Sequence, residues 1–577
     1  MSLRPRLSFA CFAVQLLLIA SFCHVSRADA LPGYLNYEAF KKQLEALGQS
    51  DLVSVAPLSK TLGKTLGDRE VMLITISRGM PLDKPALLIV GNVHAPHLAG
   101  GEMAFKLAQA IAAKPDDEHI KAILDRFTLY IIARPSPDAT EAAFSRPSVE
   151  REGNDRATDD DRDGKISEDG PDDLNADGLV TMMRIADPTG EWIEHPDDPR
   201  VLIKADPLKN EQGKYRLLTE GIDNDHDEQF NEDGPGGVAF NRNFTHQYPY
   251  FKPGAGPHQI SEPETRAVAD FAFDHTNIAA VFTFTPEDNL FHPWKTNPQQ
   301  DKARIKTVIT GDDAPYQDFI AKAYRETHGG KDAPSSPSGE GSFSEWAYFH
   351  YGRWSFAARG WWIPQTPFSA VPEGAGAVEK VDIPEKEKKK TSAEKRGSDE
   401  LSALRWLTKN MIDGFVPWTK VDHPDFKGKV VEVGGFKPLV LLNPPIAELD
   451  ALTGKHLDWL SQLAELMPKV TISETKVEAL GANVFRIKAT VINGGFLPTM
   501  SEMGGITRQP LPLQLAIELP KDATVIQGTP RTQLSVLKGN GGTDEHTWLI
   551  QAPTGGSAKI KVWSSSVGKH DVVINLK

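Results

Sequence analysis

The stretch PALLIVGNVHAPHLAGGEMAF, residues 85–105, decides the fold. Its first nine residues, PALLIVGNV, are apolar but for Asn92 and show no period-2 alternation, the pattern of a strand covered on both faces. The run ends in a loop carrying His94 and His97. From residue 102 to 113 the apolar positions recur with helical spacing. A second apolar strand spans 128–133 and runs into the turn Arg134-Pro135-Ser136-Pro137-Asp138. Ser261-x-x-Glu264 has the form of a capping box opening a helix to about residue 275, and 278–284 is a further strand. Strands alternating with helices predict an α/β domain with a largely buried sheet, and such folds carry binding residues on loops at strand ends.

Outward from this domain the character changes. Residues 372–398 read as an exposed charged loop, and helical patterns return at 400–411 and 446–466. Beyond about residue 470, Phe485, Ile487, Ala489 and Val491 interleave with Arg486, Lys488 and Thr490. The same period recurs at 513–519 and 559–563, with Asn493-Gly494 and Gly541-Gly542 as turn signals, so 470–577 is expected to be a β-sandwich-like module that covers or tethers the first domain. Residues 421–469 are read as a connecting segment with a helix.

At the other end, Arg4 and Arg6 precede an apolar stretch from residue 7 to 22, and Ala28-Asp29-Ala30 has the small-x-small form of a cleavage site. Residues 1–30 are therefore read as a secretory signal and the protein as exported. Both cysteines, Cys11 and Cys23, fall inside that segment, which leaves the rest of the chain without disulfide or thiolate chemistry. No later stretch is long and apolar enough to span a bilayer.

The 577 residues carry a formal charge of -14, which argues against neutralising a nucleic-acid backbone. The acids are concentrated in an insertion, 155–235. Asp159, Asp161, Asp163 and Asp169 match Asp223, Asp225, Asp227 and Asp233 at identical spacing, and a partial third copy follows at Asp173, Asn175 and Asp177. Carboxylates at alternate positions of a tight loop can converge on one hard cation, so calcium is the expected cofactor of these eight aspartates. The twelfth position counted from Asp159 or Asp223 is glycine, not the bidentate glutamate of an EF-hand.

Four motifs in order, GNVHAPHLAGGE, RPSPDATEAAF, FNRNF and SFSEWAYFHYGRWSF, resemble the zinc carboxypeptidases of the carboxypeptidase A family over residues 35–420. The resemblance implies a carboxypeptidase-like mixed sheet flanked by helices. It also implies a zinc held by His and Glu of an H-x-x-E motif and a distant His, a Glu base, and an Asn-Arg pair on the substrate's C-terminal carboxylate. Here His94 keeps the first ligand position and His97 occupies the Glu position. The distant His is expected near 283–285, where the sequence is FTFTPEDN, and Arg359 stands at the base. Asn241 and Arg242 match the carboxylate-binding pair, with Arg359 as a second guanidinium for that role. Glu102, Glu287, Asp288 or His292 could complete a zinc site with His94 and His97, and no spacing rule selects among them. The expectation is a binder of peptides with free C-termini that hydrolyses little or nothing. A metallocarboxypeptidase with a rearranged zinc site and a calcium-stabilised surface protein are the alternatives.

Overall fold

The computed structural model describes residues 31–59, 61–159, 164–166, 169–226, 230–231, 236–364 and 397–577. The expected signal at 1–30, most of the charged loop, and the candidate calcium ligands Asp161, Asp163, Asp227 and Asp233 lie outside them.

Four strands come first: β1 (Val53–Pro57), β2 (Met72–Ile76), β3 (Ala86–Val90) and β4 (Thr128–Ile132). The insertion supplies β5 (Met182–Ala186), β6 (Trp192–His195), β7 (Asp198–Lys204) and β8 (Tyr215–Thr219), after which β9 (Ile278–Phe284) and β10 (Trp354–Ala358) return to the first sheet. That sheet runs β1-β2-β4-β3-β9-β10, with β4, β3, β9 and β10 parallel and β1 and β2 antiparallel. Every residue of β3, β4, β9 and β10 is buried, as the unalternating apolar runs require. Leu87 and Ile89 point into a core shared with helices Leu98–Ala113, Ala314–His328 and Leu449–Leu466. Ala86, Leu88 and Val90 point into the opposite core, against helices Pro263–Asp274 and Phe343–Phe349.

Two differences from the sequence reading stand out. The helix expected from Ser261 starts at Pro263, and Ser261 Oγ donates to Glu262 Oε1 (2.7 Å) instead of capping. A proline at the first helical position satisfies the start without a side-chain cap. The segment read as a connection contributes β12 (Val431–Phe436), which with β11 (Phe415–Val421) joins the insertion in a second, wholly antiparallel sheet, β11-β12-β5-β8-β6-β7. Val431 and Val433 bury against Met183 and Ile185 there. The pairing spans more than 200 residues, and strands this short show too few alternations to be read singly.

The C-terminal strands are β13 (Val470–Gly481), β14 (Val484–Asn493), β15 (Gln514–Glu518), β16 (Thr524–Gln527), β17 (Arg531–Gln533), β18 (Gly542–Gln551), β19 (Ser557–Ser564) and β20 (Gly568–Asn575). They form two four-stranded antiparallel sheets, β13-β14-β18-β16 and β17-β15-β19-β20. Phe485, Ile487, Val491, Trp548, Ile560 and Val562 share the core between them. The alternation read in the sequence is this inward face. Asp313 fastens the module to the α/β domain: its carboxylate accepts from the Glu502 and Met503 amides (2.8 and 3.1 Å), at the start of the module's helix Glu502–Thr507.

Candidate functional site

The loops that follow β3, β4, β9 and β10 meet at the carboxyl edge of the parallel strands, and the sequence-derived residues gather there. After β3, Asn92 adopts φ 46°, a left-handed conformation that asparagine tolerates. Its buried side-chain amide donates to the carbonyls of His94 (3.2 Å), Ala95 (2.9 Å) and His97 (3.0 Å), so one side chain shapes the loop. His94 faces Glu152, 3.7 Å from its Nδ1.

His97 immediately precedes the helix and is fully buried, and neither ring nitrogen has a hydrogen-bond partner. Burial, reinforced by the His94 and Arg359 charges and only partly opposed by the nearby Arg359 backbone, which lies outside good hydrogen-bond geometry, pushes its imidazole down to about 3. It is therefore neutral at physiological pH.

Arg359 follows β10 with its backbone amide on Asp288 Oδ2 (3.0 Å) and Nη2 on the Pro286 carbonyl (3.4 Å). Burial lowers its pKa, and the Asp288 and Glu287 carboxylates oppose that shift. Asn241 is pinned from two sides: its Nδ2 donates to Glu287 Oε2 (2.8 Å), and its Oδ1 accepts from the Phe343 amide (3.0 Å). Beside it, Arg242 Nε is buried and has no partner.

A zinc ion does not fit these residues. Each candidate for the third ligand is already engaged. Glu102 pairs with the buried Arg134 (2.9 Å), Glu287 holds Asn241, Asp288 accepts from the Leu290, Phe291 and Arg359 amides, and His292 Nε2 meets the Pro334 carbonyl (2.7 Å). Among the described residues no three of His, Cys, Asp and Glu are gathered as a metal site, and the Arg359 guanidinium adds positive charge beside His97.

Two groups escaped the sequence reading. Glu345 lies on the Phe343–Phe349 helix, 3.5 Å from Nε2 of the buried His246. Burial and the Glu287 and Glu340 carboxylates push Glu345 up to about 7, while burial takes His246 down to about 3. In sequence, Ser342-x-x-Glu345 is a capping box, which hides any other use of the glutamate. Ser342 does accept from the Glu345 amide (3.3 Å), but its own amide is taken by the Gly339 carbonyl (2.9 Å).

In the acidic insertion, Asp169 is buried and reaches the second window, accepting from the Asn224 amide (3.1 Å) and the Asn231 amide (2.7 Å). Asp223 accepts from the His226 amide (2.6 Å), and Asp225 lies 3.7 Å from Lys165. Asp159 Oδ2 accepts from the Gly164 amide (3.2 Å) within its own loop.

The model of the zinc carboxypeptidase family matches residues 49–365, more than half of the chain, and the protein belongs to that family. A second model, described as a domain of unknown function, matches residues 469–575, the β-module. Among solved structures, the chain is similar to a carboxypeptidase A from Helicoverpa armigera, at 14% identity over 59% of this chain and 67% of that one, with a TM-score of 0.33 to 0.34 spanning it and the next relative named. That relative is thrombin-activatable fibrinolysis inhibitor, at 13% identity over 56% of this chain and 68% of that one. No curated protein matches the chain in sequence. The family takes peptides with free C-termini, and no helix among the described residues is long and apolar enough to cross a membrane.

Proposed function

We propose that this protein is exported and binds the C-terminal carboxylate of a peptide through Asn241, Arg242 and Arg359, with little or no hydrolysis. The observation that carries this reading is the buried, unpartnered Nε of Arg242 beside a clamped Asn241: a desolvated guanidinium donor gains most from a carboxylate, and the acids near it are bonded to other groups. Hydrolysis is disfavoured because a guanidinium stands at the base position and cannot accept a proton. Export rests on the apolar stretch and Ala28-Asp29-Ala30 of the sequence. The test is a titration with one peptide in free-acid and amidated form. The free acid should bind, the amide should not, and Arg242→Ala should weaken binding by about ten- to a hundredfold. One tightly held zinc per chain, with peptide hydrolysis lost in His94→Ala, would overturn the reading in favour of a rearranged metalloenzyme.

Calcium between the two acidic windows is a second part of this reading. It is supported by the contacts from Asp169 and Lys165 across to Asn224, Asn231 and Asp225, which press two acid-rich loops together. Calcium should raise the melting temperature and a chelator lower it, because a ligand that binds only the folded chain stabilises it. An identical melting curve in both conditions at low salt would remove calcium from the account.

A further inference from the structure

The two outer faces of the β-module differ in how their charges are matched. On the sheet β13-β14-β18-β16 every lysine and arginine of the strands has a carboxylate: Lys476 pairs with Glu474 (3.3 Å), Arg486 with Glu478 (2.6 Å) and Lys488 with Glu545 (2.6 Å). That is the ordinary state of a solvated charged face. On the sheet β17-β15-β19-β20, Lys559 pairs with Asp571 (2.7 Å), while Arg531, Lys561 and Lys569 form no ion pair among the described residues.

Strand register gathers these three cations. Ala516 on β15 lies between Arg531 on β17 and Lys561 on β19. One step along, Gln514 lies between Gln533 and Trp563, and Trp563 lies opposite Lys569 on β20. Partners in register share one face of a sheet, and the alternate positions Leu515, Ile560 and Val562 fill the core. Arg531 and Lys561 are two strands apart, roughly 10 Å at the backbone. Their head groups converge over the half-buried Trp563 ring, the guanidinium 5.0 Å and the ammonium 5.2 Å from its centre. The ring's electron-rich face offsets part of the repulsion between them. Positive charge is thereby concentrated on one face of a chain whose net charge is -14.

We infer that this face binds a carboxylate-bearing polysaccharide, with uronate groups on Arg531, Lys561 and Lys569 and sugar hydroxyls on the Gln514 and Gln533 amides. A guanidinium fork matches a planar carboxylate, and a repeating polyanion can bring one carboxylate to each cation. Side-chain amides both donate and accept, as hydroxyls do. Single-stranded nucleic acid fits less well, because its bases need an open aromatic face and two cations already lie over the Trp563 ring. An anionic membrane also fits less well, since interfacial binding takes a broad apolar stripe and this face offers Val573 and a half-buried Trp563.

The inference is independent of the peptide-carboxylate reading. Binding of polygalacturonate to the full chain is measured by calorimetry at low salt, with a chelator present to remove calcium bridges between the polymer and the protein's own acids. Dextran, dextran sulfate, an oligothymidylate and phosphatidylglycerol vesicles are measured in parallel. Polygalacturonate should bind saturably, dextran should not, and added salt should weaken the complex. The triple variant Arg531→Gln/Lys561→Gln/Lys569→Gln should weaken it by about tenfold. Lys476→Gln/Arg486→Gln/Lys488→Gln removes the same charge from the opposite face and should leave binding unchanged, with the melting temperature of both variants checked against the parent. An excess of a free-acid peptide should not compete. The inference is overturned if polygalacturonate does not bind, if the first triple variant binds as well as the parent or the second loses as much, if the peptide displaces the polymer, or if dextran sulfate, the oligonucleotide or the vesicles bind more tightly.

Discussion

Glu264 lies 1% exposed at the start of the Pro263–Asp274 helix, with Oε1 accepting from Asn154 (2.8 Å) and a buried Oε2 that has no partner. Asn154 also donates to Glu262 (2.8 Å), so two glutamates share one amide. Burial, with smaller contributions from the Glu262 and Asp138 charges, pushes Glu264 up to about 7 from an ordinary value of 4.5. The folded chain thus keeps a proton that the unfolded chain loses, and stability falls as pH rises from 4.5 to 7. By pH 8 the loss approaches about 3 kcal/mol. Glu264→Gln should flatten this fall and raise the melting temperature at pH 8 relative to the parent. Melting curves from pH 5 to 8 that decline equally in both proteins would show that Glu264 is not the source.

At the scale of elements, the contact between the Leu98–Ala113 helix and the sheet depends on small residues. A Cβ at Gly101 would lie 2.9 Å from the Ala133 carbonyl oxygen and 3.0 Å from Asn92 Cβ. Alanine has the better helix propensity by about 1 kcal/mol, but here its methyl meets backbone and the asparagine that shapes the His94–His97 loop. Gly101→Ala should therefore destabilise by about 1–3 kcal/mol in urea unfolding, against the propensity. A stabilised variant would mean that the helix can move off the sheet freely. This closeness is invisible in the sequence, where LAGGE reads as a weak start to a helix.

For the whole molecule, Asp313 joins three parts. Its carboxylate accepts from the first two amides of the module's Glu502–Thr507 helix, whose N-cap is Ser501, and also from the Tyr348 hydroxyl (2.7 Å) on the helix that carries Glu345. Gly352 and Gly504 bring the two backbones into contact nearby, where a Cβ on Gly504 would stand 2.8 Å from the Gly352 carbonyl oxygen. Asp313→Ala should lose about 2–4 kcal/mol, because it takes the acceptor from two amides at the helix start and the carboxylate from the Tyr348 hydroxyl, which keeps only its longer contacts to Thr310 (3.4 Å). It should also separate the unfolding of the β-module from that of the α/β domain. Calorimetry with a single unchanged transition would show that the domains are held together elsewhere.

The sequence by itself determined the α/β class, the apolar strands β3, β4 and β9, and the alternating faces of the module, because burial on two faces or on one leaves a local pattern. It also picked out His94, His97, Asn241, Arg242 and Arg359, whose order along the chain resembles the family's. Tertiary structure alone decided what those residues face: Arg359 toward Pro286 and Asp288, His97 without a partner, and each acid near the strand ends already committed. It also decided the second sheet, whose strands β5 and β12 pair across more than 200 residues. Such facts depend on which distant groups share a low-dielectric space, and pattern along a chain records only the face that each residue turns to the core.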